Sequence, residues 1–202
     1  MNLKKIFSEI TETLDKLDHD REEILRLSRL MVRNCSVAIK SIHRKDFANY
    51  QQLIAQVKDN HRRLQELVNS NLRVFGKYLG TPEQEFIEAV VLYALIQNEE
   101  IPSPQDYSVY PINYLLGIAD VIGELRRYVL DKIREGDYDH LNEILDKMEE
   151  LYTHLFSLDY PKGITKNLRH KTDIARNLIE KTRGDISMAI QVNRLNENLK
   201  KE

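Results

Sequence analysis

The chain has 202 residues, 42% hydrophobic and 31% charged, with no tryptophan, 7 glycines and 5 prolines. This composition excludes disordered, collagen-like and disulfide-built chains, and the scarcity of turn residues favours long helices. Lysine plus arginine number 30 against 32 aspartate plus glutamate, a net charge of −2, so a nucleic-acid or membrane partner must be held by a local patch.

Cys35 is the one cysteine, which rules out an internal disulfide and fits a reducing compartment. The N-terminal residues carry no apolar signal-peptide core, so the expected location is cytoplasmic. The apolar stretches 86–96 and 115–130 are broken by charged residues, and neither is expected to span a bilayer.

Ile6, Ile10, Leu14, Leu17, Ile24, Leu27, Met31, Cys35, Ala38, Ile39 and Ile42 recur mostly at three- and four-residue steps, which predicts one helix to about Ile42. Asp46 reads as the N-cap of a second helix, with apolar positions from Phe47 to Phe75 and an end at Gly76 and Gly80. Thr81-Pro82-Glu83-Gln84 has the pattern of a capping box with proline at the first helical position, opening a third helix to about Asn98. Residues 99–111 hold three of the prolines and read as a loop. A fourth helix is predicted over 112–135, ended by Gly136, and a fifth from about Asp137 to Phe156. After a turn at 159–163, a last stretch over 164–200 is expected to break at Gly184. Nothing alternates with period two, and no repeat or linker divides residues 1–202, so the expected fold is an all-α single-domain bundle. The first two helices carry more apolar stripe than one thin bundle buries, which predicts oligomerisation.

Two pairs of acids stand out. Glu85 and Glu88 lie three residues apart at the start of a run, Ala89 to Ile96, that is apolar almost all round and therefore expected to be buried. Asp120 and Glu124 lie one turn apart in a window that is otherwise apolar or glycine. Ionised carboxylates in such surroundings require a compensating cation. One reading makes them structural acids paired to arginines such as Arg126 or Arg127. The other joins all four as oxygen donors for a hard cation, Mg²⁺ or Mn²⁺, acting on phosphodiesters, once a short loop makes the two helices adjacent. Gly117 and Gly123 are expected to admit a close helix neighbour. On the first helix Arg26, Arg29, Arg33, Lys40 and Arg44 form a basic stripe opposite the apolar one, the footprint of a phosphate-binding face or of a solvated one, with Glu22 placed to pair with Arg26. Arg62, Arg63, Arg169, His170 and Lys171 are candidates to extend it. The six histidines show no metal-ligand spacing, no phosphate-binding glycine loop is present, and Cys35 on the core stripe is expected to be inert.

The segments Asp20-Arg21-Glu22-Glu23-Ile24, the run from Tyr114 to Leu125, Gly136-Asp137-Tyr138 and Lys181-Thr182-Arg183-Gly184 resemble the translin family over nearly the whole chain. The resemblance implies an all-α fold of about seven helices and a closed shell, a homo-octamer where one chain type builds it. Glu85 and Glu88-Ala89-Val90, with Asp120-Val121-Ile122-Gly123-Glu124-Leu125, match the catalytic pattern of translin-associated factor X, the ribonuclease relative. The activity this resemblance implies is that of a Mg²⁺-dependent endoribonuclease acting on single-stranded RNA, with single-stranded DNA as a further ligand. Its alternative is a non-catalytic nucleic-acid-binding oligomer of the translin type. Arg21 is the basic position the resemblance carries over. The sequence departs from translin in having no basic patch between Leu79 and Gln84, which counts against tight DNA binding.

Overall fold

The computed structural model describes residues 2–199, and the predicted helix end at Lys200 lies outside them. Among the described residues there are eight α-helices and no strand: α1 Leu3–His43, α2 Phe47–Ser70, α3 Leu72–Phe75, α4 Gly80–Gln97, α5 Pro111–Glu135, α6 Leu141–Phe156, α7 Lys162–Thr165 and α8 Leu168–Leu199. The all-α expectation holds. No helix of the described residues is long and apolar enough to cross a membrane.

Periodicity locates the long helices, and side-chain caps explain several of their ends. Asp46 caps α2 as expected, accepting from the Asn49 N–H at 3.1 Å, and Gly136 ends α5 at φ 72°, where L side chains are strained. Other boundaries differ from the sequence reading. The second helix stops at Ser70, because Asn71 turns extended (φ −151°) and its side chain caps α3 instead. A 3₁₀ turn, Gly76–Tyr78, runs through helical Leu79 straight into α4. The expected capping box is therefore not formed: Leu79 is the N-cap without a side-chain bond, and Glu83 and Gln84 bond to α5 residues instead. The fifth helix begins at Leu141, later than expected, after a left-handed His140. The last stretch is split at Lys166 (φ 54°) and passes unbroken through Gly184. One helical glycine costs only about 1 kcal/mol, and the burial of Thr182 and Ile186 on either side holds the helix across it.

The helices pack in the order α2, α1, α4, α5, with α6 and α8 closing the far side of α5. α4 is the centre of the core: Phe86, Ile87, Ala89, Val91 and Leu92 are fully buried, packed between α1 and α5. The α4–α5 connection is not the short loop of an antiparallel hairpin. Residues 98–110 return the chain so that α5 runs alongside α4 in the same direction, Glu83 meeting Asn113 at the starts and Leu95 sharing a cleft with Leu125 further on. This parallel register sets the two acid pairs side by side.

Gly117 makes the approach possible. A Cβ there would lie 2.7 Å from the Gln84 carbonyl oxygen and 2.9 Å from Ile87 Cβ. Gly123 does not share this role, since its nearest neighbour would be Leu178 Cδ1 at an ordinary 3.9 Å. Gly117→Ala gains up to about 1 kcal/mol in helix propensity but forces backbone apart at a cost of about 1–3 kcal/mol. Thermal unfolding is expected to show a net loss for Gly117→Ala and no loss for Gly123→Ala.

Candidate active site

α4 contributes Glu85 and Glu88, α5 contributes Asp120 and Glu124, and all four are partly buried. They form one electrostatic cluster. The Glu88 carboxyl is pushed up to about 8, first by burial and then by the charges of Asp120, Glu85 and Glu124. Burial and the charges of Asp120 and Glu124 also raise Glu85, against the opposing pull of Lys171. Burial would raise Glu124 as well, but the hydrogen bond and charge of His43, joined by Arg127, outweigh it and hold this carboxyl below the usual range.

The protein's own cations reach two of the four acids. The Lys171 ammonium, from the start of α8, bonds Asp120 Oδ1, while Gln84 Nε2 donates to Asp120 Oδ2 at 2.6 Å. His43 Nε2 lies 2.6 Å from Glu124 Oε2, and Arg127 Nη1 donates to the same oxygen at 3.4 Å. The His43 side chain is only 4% exposed, with its Nδ1 3.6 Å from Asp131 Oδ2. Of the two arginines expected near these acids, Arg127 pairs with Glu124, whereas Arg126 turns to Asp185 and Thr182. Among the described residues no group of three or more His, Cys, Asp or Glu side chains is arranged so that it could hold a metal ion. Asp120 and Glu124 are turned toward Lys171 and His43. The donor chemistry nonetheless suits a hard cation, because every candidate ligand is a carboxylate oxygen and two of the acids have no counter-charge of their own.

His43 and Lys171 are the residues that sequence reasoning misses in this role. His43 belongs to a set of histidines without ligand spacing, and Lys171 reads as part of a distant basic patch; both reach the acids across the fold. Cys35 is buried as expected, its thiol pushed up by burial and by the nearby charges of Glu85 and Glu88, and so inert.

Glu88 sets a pH dependence. Between its ordinary value and about 8 the folded, metal-free protein keeps a proton that the unfolded chain has shed, so stability falls as pH rises through that window. Glu88→Gln removes the titration. In EDTA its unfolding midpoint is expected to lie several degrees above that of the native protein near pH 8 and to converge with it near about pH 5. Parallel midpoint-against-pH curves would contradict the buried, charge-crowded placement of Glu88.

The basic stripe lies on the exposed side of α1. Arg26 is held by both oxygens of Glu23 at 2.7 Å, not by Glu22, and Arg21 bonds Glu22 and the Tyr78 hydroxyl. Arg29, Arg33, Lys40 and Arg44 lie at least partly exposed and have no carboxylate partner among the described residues. Arg29 and Arg33 line a groove of about 540 Å³ with Lys77 and Tyr78. Lys77, shortly before the segment 79–84 that carries no basic residue, adds its charge to this groove. Arg62 and Arg63 on α2 pair with Asp59 and Glu23. Arg169 and His170 line a separate groove beside α7.

A second buried cluster borders the acids. Glu83 is 1% exposed. It accepts from His61 Nε2 (3.1 Å), Gln65 Nε2 (3.4 Å), Asn113 Nδ2 (2.7 Å) and the Tyr110 N–H (3.3 Å), and Lys166 Nζ donates to Asn113 Oδ1 at 2.8 Å. It ties α2, α4, α5 and the approach to α8 together immediately before Gln84 and Glu85.

Residues 8–183 match the translin family. The chain belongs to that family. An uncharacterised protein of Methanocaldococcus jannaschii is 39% identical over 91% of this chain and 82% of its own. The translin-associated protein X homolog of Schizosaccharomyces pombe is 24% identical over 81% of this chain and 78% of its own. Among solved structures, AfC3PO in complex with duplex RNA superposes with a TM-score of 0.85 at 30% identity, covering 97% of this chain and all of that one. Apo-NeC3PO gives 0.82 at 25% identity, over 91% and 96%. The helical arrangement of α1 to α8 is therefore the translin-family fold.

Proposed function

We propose that this translin-family chain assembles with itself into an RNA-holding shell, a homo-octamer, and cleaves single-stranded RNA with Mg²⁺ or Mn²⁺ held by Glu85, Glu88, Asp120 and Glu124. The observation that carries this reading is the crowding of four carboxylates from two parallel helices with cations for only two of them. The similar AfC3PO structure contains duplex RNA, which supports RNA as the polymer bound.

A divalent ion at such a site supplies neutralisation of the charge that builds up on a phosphodiester as water attacks it. The chain's residues supply the rest. Glu85 and Glu88 offer carboxylates whose ionised form near neutral pH a bound cation favours. Glu124 is held ionised and oriented by His43, itself fixed in the core, as outer hydrogen-bond partners fix ligands elsewhere. Arg21, Arg26, Arg29, Arg33, Lys40 and Arg44 hold the phosphate backbone, with Arg29, Arg33 and Lys77 beside Tyr78, whose ring offers a stacking face for an unpaired base. Because phosphate contacts read no bases, cleavage has little sequence preference, and binding weakens as salt rises.

Assembly is supported by apolar faces on which nothing packs among the described residues. Leu3, Phe7, Ile10 and Leu14 on α1 and Met188, Val192, Leu195 and Leu199 on α8 are each about half exposed or more and follow one another at alternating four- and three-residue steps, the spacing of a helix-pairing seam.

The second reading, a non-catalytic RNA-binding oligomer, is favoured by the pairing of Asp120 and Glu124 with protein cations, as structural acids would be. Incubating the purified protein with an end-labelled single-stranded RNA, in Mg²⁺ and in EDTA, separates the two. Cutting in Mg²⁺ alone supports the nuclease; RNA retained intact under both conditions supports the binding oligomer.

A further inference from the structure

The cations at the acid cluster are unevenly shared. The ion pairs are His43–Glu124, Arg127–Glu124 and Lys171–Asp120, and Glu85 and Glu88 have none among the described residues. Glu124 keeps a charged partner, Arg127, if His43 moves. Asp120 depends on one ammonium, whose charge also favours the ionised form of Glu85 and Glu88. A single flexible positive charge, in contact with Asp120, thus acts on three of the four candidate ligands.

Lys171 is built to leave. Its backbone is fixed by the buried α8 residues Leu168, Thr172 and Ala175, so the head group moves only by swinging its four-carbon stem. That side chain is 17% exposed and Asp120 is 25% exposed, which leaves the pair a path to solvent. Gln84, on the other oxygen of Asp120, is neutral and does not replace the charge. A divalent cation cannot share Asp120 with an ammonium at contact distance without like-charge repulsion. As the side chains stand, no three such groups among the described residues are arranged to hold a metal ion, and Lys171 occupies Asp120.

We propose that Lys171 is a resident counter-ion that occupies Asp120 in the metal-free protein and has to leave before a divalent cation binds, so that Lys171 sets the cation concentration at which the centre fills. The inference rests on the divalent-cation reading of the four acids.

The test is calorimetric titration of Mn²⁺ into the intact protein without RNA, comparing the native chain with Lys171→Met and Lys171→Arg, each checked for native helicity by circular dichroism. Lys171→Met removes the competitor and is expected to bind Mn²⁺ about tenfold more tightly than the native chain. Lys171→Arg keeps the charge on a fork that grips a carboxylate through two bonds, and is expected to bind no more tightly than native. Adding Asp120→Asn to Lys171→Met is expected to abolish the gain. Native binding with unchanged or weaker affinity in Lys171→Met overturns the inference and leaves the cation site standing, as does tighter binding in Lys171→Arg. Absence of Mn²⁺ binding in all of these proteins removes the cation reading itself and the inference with it.

Discussion

Glu83→Ala is expected to cost about 3–5 kcal/mol of stability, because several buried hydrogen bonds lose their acceptor at about 1–3 kcal/mol each. The alanine leaves His61, 4% exposed, without its carboxylate, and the Asn113 amide and the Tyr110 N–H without their acceptor. For a chain of this size each kcal/mol shifts the unfolding midpoint by about 2–4 °C, so a fall of roughly 6–20 °C is expected in a thermal melt. Glu83→Gln retains one acceptor oxygen and is expected to fall between alanine and native. Glu12→Ala, on the exposed first turns of α1, is expected to leave the midpoint within about 1 °C, since exposed charges contribute little. A Glu83→Ala midpoint as high as that control would contradict the buried network.

Glu124→Gln is expected to lower RNA cleavage at saturating Mg²⁺ by at least about a hundredfold, since removing a ligand charge costs more than disturbing the groups around it. The substitution preserves size and leaves an oxygen to accept from His43 Nε2, so the fold is expected to survive it. RNA retention is expected to stay within about twofold of native, because the phosphate-holding side chains of α1 are untouched by the substitution. This combination distinguishes a catalytic carboxylate from a structural one: loss of a structural acid shows in the melt, loss of a metal ligand in the rate.

The fold is legible in the sequence wherever local rules and tertiary packing agree. The apolar stripe from Ile24 to Ile42 lies buried as periodicity demands, and Asp46 caps α2 as its residue type predicts. Where local and tertiary preferences conflict, packing wins. Thr81-Pro82-Glu83-Gln84 has the pattern of a capping box, but Gln84, which would reach back to the Thr81 N–H, donates to Asp120 instead, and Glu83 takes four donors in the core. Gly184 loses to the burial of Thr182 and Ile186. The four acids are legible because each pair shares one helix face and sits in an apolar context that charge tolerates badly. Their partners are not. Lys171 meets Asp120 across 51 residues and His43 meets Glu124 across 81, separations over which helical periodicity carries no register. A histidine at the end of an amphipathic helix has no ligand spacing to betray it; its place becomes visible only when α1 is laid against α4 and α5.

The most direct measurement of whether these carboxylates cut RNA is single-turnover cleavage of an end-labelled, unstructured RNA by the native protein and by Glu124→Gln, each with Mg²⁺ and with EDTA, and retention of the same RNA measured alongside. Expected are cleavage by the native protein in Mg²⁺ only and, from Glu124→Gln, RNA retained but essentially uncut. Equal cleavage by both proteins, or cleavage undiminished in EDTA, would contradict a carboxylate metal centre in this translin-family protein.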